Sequence, residues 1–149
     1  MTDRYLCFVY GSLMRNMGNH RVLVRARLVR TAHTPASFTL HDLGAYPGMI
    51  GGGTTRVHGE LYEVNEETLA ALDRLEGHPR FYRRSEISLC DGTRVLSYLL
   101  AERRSRCPAI AGGDWRAHLA KERVMRGTSR GRTLMSDAAA VVGCSTKRG

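Results

Sequence analysis

Short apolar runs separated by polar or glycine-rich stretches fill the first hundred residues, and this pattern predicts more strands than helices. The run at 4–10 is apolar, contains aromatic and β-branched residues, and stops at Gly11, so it predicts a buried strand followed by a tight turn. Further strands are predicted at about 26–34, 36–43 and 55–64. The last of these alternates apolar and polar residues, as expected of a strand with one buried face.

The best-indicated helix spans about residues 66–76. Asn65 is a suitable N-cap, and Gly77 is a residue type that commonly ends a helix. A leucine stripe at helical spacing predicts the buried face, and it consists of Leu69, Leu72 and Leu75. A second, short helix is predicted at 18–25, where Asn19 could act as a cap.

The segments at 83–90 and 93–101 predict two strands of a hairpin, with Asp91-Gly92 as a two-residue turn. The glycine-rich stretch at 43–53 predicts a loop. Strands and helices do not alternate regularly along the chain, which favours an α+β domain over a doubly wound sheet.

Charge divides the chain into two parts. Residues 1–102 contain 12 Lys and Arg against 11 Asp and Glu, whereas residues 103–149 contain 11 against 3, so the second part carries +8 of the total net charge of +9. We therefore expect a globular domain at 1–102 and a basic C-terminal extension at 103–149. Asp114 could cap a short helix reaching about residue 124, and residues 126–149 are expected to be flexible or peripheral.

Several classes of protein do not fit the sequence. No run of about 18 apolar residues is present to span a membrane, and the N-terminus lacks the features of a secretory signal, so we predict a soluble cytoplasmic protein. Neither the cysteines nor the six histidines show metal-ligand spacing, so no metal site is expected. The four cysteines form no CxxC pair, which predicts reduced thiols, in the core at Cys7 and Cys90.

The first candidate for chemistry is the turn formed by Tyr10, Gly11, Ser12 and Leu13. A glycine at the end of a buried strand allows close approach of a ligand to the backbone. The amides of such a turn are unpaired by the sheet and suit a carboxylate or a developing oxyanion. A purely structural turn at the end of a strand remains the alternative for these four residues.

The second candidate is Glu76, the last residue before the glycine that ends the predicted helix. It lies four residues after Leu72 and so at the edge of the apolar stripe. The negative end of the helix dipole and partial burial would both raise its pKa toward a range useful for proton transfer. Nearby arginines at 80, 83 and 84 would oppose this shift. A surface glutamate at a frayed helix end is the alternative.

These segments, taken together, resemble the gamma-glutamylcyclotransferase-like family, in particular its gamma-glutamylamine cyclotransferase branch. The resemblance covers about residues 5–101. It rests on FVYGSL at 8–13, LGAYPG at 43–48, VHGELYEV at 57–64 and LDRLEGHPRFYR at 72–83. No single motif is specific, but four in this order are.

The resemblance implies a compact mixed β-barrel with flanking helices. It also implies that the turn at Tyr10–Leu13 binds a gamma-glutamyl group and that Glu76 is the general acid/base. The predicted substrate contacts are completed by Tyr46 and Tyr82, which stand in matched segments; read singly, each tyrosine would instead indicate packing.

The predicted reaction is an intramolecular cyclisation of a gamma-glutamyl amide to 5-oxoproline and a free amine. It needs no protein nucleophile, metal or organic cofactor, and its partner is a small-molecule gamma-glutamyl substrate. One alternative is a catalytically silent module whose basic tail binds nucleic acid, which the lack of interleaved aromatic residues disfavours. Another is transfer or hydrolysis of a different small acyl group. The sequence indicates neither the leaving amine nor the oligomeric state.

Overall fold

The fold is known from a computed structural model that describes residues 3–102 and 106–129, with side chains described as far as Met125. The strands are β1 (Arg4–Val9), β2 (Arg27–His33), β3 (Phe38–Asp42), β4 (Pro47–Gly51), β5 (His58–Asn65), β6 (Tyr82–Ser88) and β7 (Arg94–Leu100). The α-helices are α1 (Glu66–Glu76) and α2 (Trp115–Ser129), and a 3-10 helix spans His20–Leu23.

The seven strands form one mixed sheet in the order β2-β5-β1-β7-β4-β3, with β6 paired to β7. Strand β1 runs antiparallel to β5, whereas β7 is parallel to both β1 and β4. This arrangement confirms the predicted α+β class. Within the described residues the strand ladders do not close into the expected barrel. Strand β6 pairs with one edge of β7 along its whole length. The other edge of β7 pairs with β1 at Leu96 and with β4 at Leu99.

Helix α1 confirms the prediction for this segment and carries Glu76 at its end. The Asn65 Oδ1 atom accepts a hydrogen bond from the Thr68 N–H at 2.8 Å, and Gly77 ends the helix in the left-handed conformation at φ 67°. Leu69 and Leu72 are buried as predicted. Leu75 is 41% exposed and does not belong to the buried stripe, because the last turn of α1 extends past the core to the rim of a cavity.

Two sequence-based assignments are wrong. The glycine-rich stretch at 43–53 contains strand β4, and Gly48 of this strand serves close packing, because a Cβ there would lie 2.5 Å from Leu100. The helix predicted at 18–25 is only a short 3-10 turn. Its Asn19 makes no capping hydrogen bond, because the side-chain amide donates instead to the Ser12 hydroxyl at 2.9 Å.

The β6–β7 hairpin is present, but its turn is one residue longer than predicted. The Leu89 N–H donates to the Thr93 carbonyl at 2.8 Å and encloses three residues, of which Gly92 has φ 89°. A three-residue loop with glycine in the left-handed region is the next most common hairpin connection. Cys90 lies in this turn and is exposed, so it is not the core thiol that its apolar neighbours predicted, whereas Cys7 is buried.

The segment after residue 106 packs against the same core as the preceding strands. Cys107, Ile110 and Trp115 are all buried, and the Asp114 carboxylate caps α2 by accepting the Ala117 N–H at 3.1 Å. Helix α2 extends five residues beyond the predicted end. The division at residue 102 stays a prediction, and these buried contacts weigh against independent folding of 1–102. Residues 130–149 lie outside the described part, and no helix within that part is long and apolar enough to cross a membrane.

Candidate active site

A cavity of about 260 Å³ lies where the end of β1, the start of β4 and the end of α1 meet. It contains all seven residues predicted from the sequence, namely Tyr10, Gly11, Ser12, Leu13, Tyr46, Glu76 and Tyr82. The remaining lining residues are Phe8, Val9, Asn19, Pro47, Leu75, Phe81 and Tyr98. The sequence therefore predicted the residues that meet here, although they come from four separate parts of the chain.

The turn after β1 uses its carbonyls and leaves its amides without partners. The Gly11 carbonyl accepts the Met14 N–H at 3.1 Å, the Ser12 carbonyl accepts the Asn19 N–H at 2.9 Å, and His20 Nδ1 lies 2.9 Å from the Leu13 carbonyl. Across residues 3–102 and 106–129, no acceptor is bonded to the N–H groups of residues 11, 12 and 13. Three successive free donors on a cavity wall form an anion-binding concavity.

Gly11 is required by space. A Cβ at this position would lie 2.7 Å from both the Cδ and the Cγ atoms of Pro47, on the facing wall of the cavity. A proline ring at the start of a paired strand cannot swing aside as a flexible side chain can. The close approach of the turn to β4 therefore depends on glycine.

The phenol groups of Tyr10 and Tyr82 are occupied by backbone partners. The Tyr10 hydroxyl donates to the Tyr98 carbonyl at 2.6 Å and accepts the Met49 N–H at 3.1 Å, and the Tyr82 hydroxyl donates to the Pro47 carbonyl at 2.5 Å. Burial raises the pKa of both phenols above the ordinary range. Both tyrosines therefore shape the cavity with their rings and do not titrate near neutral pH.

Tyr46 lies nearer the rim, and its ring packs edge-on against two other aromatic rings. The centroid separations are 5.9 Å to Phe81 and 6.5 Å to Tyr82. Both Tyr46 and Phe81 are partly exposed. With the exposed Leu75, these rings give the entrance an apolar rim.

Glu76 is half-buried and lies in the cavity without a polar partner. Within the described residues its carboxylate makes no hydrogen bond and no ion pair. Burial raises the pKa of Glu76 from 4.5 to about 7. Of the three nearby arginines that were expected to oppose this shift, Arg84 pairs with Asp73 at 2.7 Å.

Asp73 is the second carboxylate on this side of α1, and its role was missed by sequence reasoning. It accepts the Tyr98 hydroxyl at 2.6 Å as well as the Arg84 guanidinium at 2.7 Å. The three-residue spacing from Glu76 was visible in the sequence. The two partners of Asp73 come from β7 and β6, and no local pattern connects them to the helix.

Comparison with known proteins agrees with this geometry. Residues 7–117 match the family model of gamma-glutamyl cyclotransferase, AIG2-like proteins. The chain belongs to this family. The family implied by the sequence motifs is thereby confirmed, and the protein is an enzyme of the gamma-glutamylcyclotransferase type.

Relatives and solved structures support membership of the cyclotransferase family. A Vibrio cholerae protein with a provisional gamma-glutamylcyclotransferase name is 42% identical over 112 residues, covering 75% of this chain and 96% of its own. A gamma-glutamylaminecyclotransferase of Bos taurus is 37% identical over 94 residues, 54% of this chain and 53% of its own. The crystal structure of a uropathogenic E. coli-specific protein superposes with a TM-score of 0.69 at 29% identity, covering 79% and 97% of the two chains.

Among the described residues of this cyclotransferase-family chain, no three His, Cys, Asp or Glu side chains gather as metal ligands. The lining residues that sequence reasoning missed are of two kinds. Phe81 stands beside the predicted Tyr82 and could have been found in the same matched segment. Asn19 and Tyr98 reach the cavity only through the tertiary fold, Asn19 from the 3-10 turn and Tyr98 from β7.

Proposed function

We propose that this enzyme cyclises gamma-glutamyl amides to 5-oxoproline and a free amine, with Glu76 carrying the proton. The observation that carries the proposal is that a carboxylate and a row of amide donors line the same small cavity. Within residues 3–102 and 106–129, the carboxylate at the end of α1 has no polar partner, and the amide donors on the turn at 11–13 have no acceptor. The carboxylate can transfer a proton while the amides bind an anion or a polarised carbonyl oxygen.

The reaction needs no atom from outside the substrate. The α-amino nitrogen attacks the side-chain carbonyl carbon, a new C–N bond closes a five-membered lactam, and the original amide C–N bond breaks. The α-ammonium group loses two protons, one before it attacks and one as its nitrogen becomes the lactam N–H. The departing nitrogen gains one proton as its C–N bond breaks and a second when the free amine is protonated in solution. A carboxylate that takes a proton from the attacking nitrogen and gives one to the leaving nitrogen serves both steps, and the remaining proton passes through solvent, which fits Glu76 as base and then acid.

The size of the cavity favours the folded substrate conformation that cyclisation requires. Well-oriented intramolecular attack can lower a barrier by roughly 7–11 kcal/mol, and general acid–base assistance adds about 10²- to 10⁴-fold in rate. The amides at 11–13 would receive either the substrate carboxylate or the oxygen that becomes negative during attack. A pKa of about 7 for Glu76 leaves a substantial fraction of the enzyme in the basic form at neutral pH.

A panel of gamma-glutamyl compounds tests the proposal. It should contain gamma-glutamyl amino acids, glutathione-like peptides and gamma-glutamylamines, the last because of the name of the bovine relative. We expect release of 5-oxoproline, measured by mass spectrometry, from at least one class. Binding of these compounds without 5-oxoproline would identify a silent binding module, and hydrolysis to free glutamate would identify a different acyl reaction.

A further inference from the structure

Outside the cavity, the most completely buried carboxylate of the described residues belongs to Glu60 on β5. It is 1% exposed and is surrounded by donors. Its Oε1 atom accepts the Arg15 N–H at 2.8 Å and the Tyr62 hydroxyl at 3.0 Å. Its Oε2 atom accepts the Arg15 Nε–H and an Arg116 guanidinium N–H, both at 3.3 Å.

Glu60 is held as a charged group. Burial acts to raise its pKa, but the hydrogen bonds from Arg15, Tyr62 and Arg116 together hold that pKa below its ordinary range. A carboxylate buried inside a fold is retained in charged form only where donors satisfy both of its oxygens. Both oxygens of Glu60 meet this condition.

Two hydrogen bonds fix the backbone of Arg15, which follows the turn at 11–13 closely in the chain. The Arg15 N–H is bonded to Glu60, and the Arg15 carbonyl accepts an Arg116 N–H at 2.7 Å. The next residue, Asn16, has φ 68°, so the chain changes direction at this point. Within the turn itself, the Met14 N–H donates to the Gly11 carbonyl. Glu60 thus anchors one end of the segment whose amides face the cavity.

We propose that Glu60 is a positioning residue for the substrate-binding turn, acting through Arg15 and assisted by Arg116 of α2. This inference rests on the proposed function of the cavity. It also gives the segment after residue 102 a role in the site, since Arg116 connects α2 to the turn. Because Glu60 does not line the cavity, its effect on the reaction is indirect.

The test compares Glu60→Gln with Glu63→Gln in the full chain. Glutamine at 60 keeps the shape but brings an NH₂ group against two guanidinium groups, so the contacts to residue 15 weaken. Glu63 lies on the same strand and, among the described residues, pairs only with the exposed Arg27, so its variant is the matched control. We expect kcat/KM for 5-oxoproline release to fall about tenfold or more in Glu60→Gln and to stay within about twofold in Glu63→Gln.

The pattern of kinetic loss distinguishes positioning from general damage. The pH at half-maximal kcat/KM should not move, because Glu76 is untouched. The loss should fall on KM if the amides hold the substrate carboxylate and on kcat if they hold the carbonyl oxygen. A Glu60→Gln protein with unchanged kcat/KM and only a lowered Tm would overturn the inference.

A second variant covers the case in which Glu60→Gln fails to fold. Arg116 is partly exposed, so Arg116→Ala should fold while releasing the Arg15 carbonyl. We expect a loss of kcat/KM of several-fold, partly restored in Arg116→Lys, and unchanged kinetics in Arg116→Ala would contradict the role of α2.

Hydrogen–deuterium exchange separates this inference from the proposed function. The amides of Met14 and Arg15 should exchange about tenfold faster in Glu60→Gln than in the wild type, whether or not any gamma-glutamyl compound is a substrate. If exchange is faster but no gamma-glutamyl compound yields 5-oxoproline, the proposed cyclisation is refuted and the anchoring role of Glu60 stands. Unchanged exchange at both amides would refute the anchor itself.

Discussion

Two shielded glutamates show how surroundings decide what a carboxylate can do: Glu76 lines the cavity, and Glu60 is bonded to Arg15, which follows the turn at 11–13. Glu60 is fully buried, is bonded to three residues and has a lowered pKa. Glu76 is half-buried, has no polar partner in the described residues, and has a pKa raised to about 7. Glu60 therefore stays charged near neutral pH, whereas Glu76 can take up and release a proton there.

The comparison teaches that burial alone does not identify a proton-transfer group. Burial raises the pKa of a carboxyl group, and hydrogen bonds to its charged form lower it again. A buried, fully bonded carboxylate is an anchor, and a shielded, unbonded one facing a cavity is a candidate acid or base. The predictions below test this distinction, beginning with the largest effect.

Glu76→Gln should reduce kcat by about 10² or more while the substrate still binds, because glutamine keeps the shape but cannot accept a proton. Steady-state kinetics of 5-oxoproline release measure the loss. Glu67→Gln, in the first turn of the same helix, is the matched control and should be close to the wild type. Near-normal turnover in Glu76→Gln would refute the mechanism, and equal losses at 67 and 76 would show damage to the helix.

Gly11→Ala should reduce kcat/KM by about tenfold or more, with a smaller effect on stability, because the added methyl group meets Pro47 at 2.7 Å on the cavity wall. Kinetics and thermal unfolding should be measured together. Gly18→Ala is the control, since a Cβ there has no neighbour within 4 Å. Full turnover in Gly11→Ala would show that the backbone of the turn does not contact the substrate.

Asp73→Asn tests whether the hydrogen-bonded carboxylate of Asp73 differs in role from the carboxylate of Glu76 on the same helix. Asp73 is engaged by Tyr98 and Arg84, so its replacement should cost about 1–3 kcal/mol of stability while kcat stays within about fivefold of the wild type. Denaturant unfolding measures the first quantity and steady-state kinetics the second. A loss of kcat as large as that of Glu76→Gln would move the proton-transfer role to Asp73.

The pH dependence of stability provides the smallest predicted effect. Between pH 4.5 and about 7 the unfolded chain releases the Glu76 proton while the folded chain keeps it, so the stability due to this group falls as pH rises. The Glu76→Gln variant has no ionisable group at this position, so its stability does not fall with pH in this way. Its Tm should match that of the wild type near pH 4 and exceed it by a few degrees at pH 8. A variant with lower Tm at pH 8 would show that the charged form of Glu76 is stabilised in the fold.

The sequence predicted the fold where local signals were strong. The cap at Asn65 and the glycine after Glu76 act within a few residues, and both predictions agreed with the structure. Strand β5 was also found, but residues 59–62 are all buried, so its apolar–polar alternation wrongly indicated a single buried face. Strand β4 was missed because its glycines locally favour a loop, although one of them, Gly48, is needed for close packing against Leu100. That requirement comes from a strand fifty residues away and has no local pattern.

The site was predictable to the same extent. Glu76 and the turn at 11–13 carried local signals, a helix end and a strand end, and the family resemblance joined them. The carboxylate of Glu76 has no polar partner among the described residues, whereas Arg84, close to it in the sequence, pairs with Asp73. Likewise, Glu60 looked like an ordinary strand residue, because its partners Arg15 and Arg116 lie 45 and 56 residues away. The tertiary fold determines which of these groups come into contact.

The pH–rate profile of 5-oxoproline release tests most directly whether Glu76 carries the proton. For the wild type, kcat/KM should rise with pH through a single ionisation and reach half of its plateau near pH 7, as Glu76 becomes able to accept a proton. The residual activity of Glu76→Gln should lack this ionisation. A wild-type profile without an inflection between pH 6 and 8, or the same inflection in Glu76→Gln, would contradict the account.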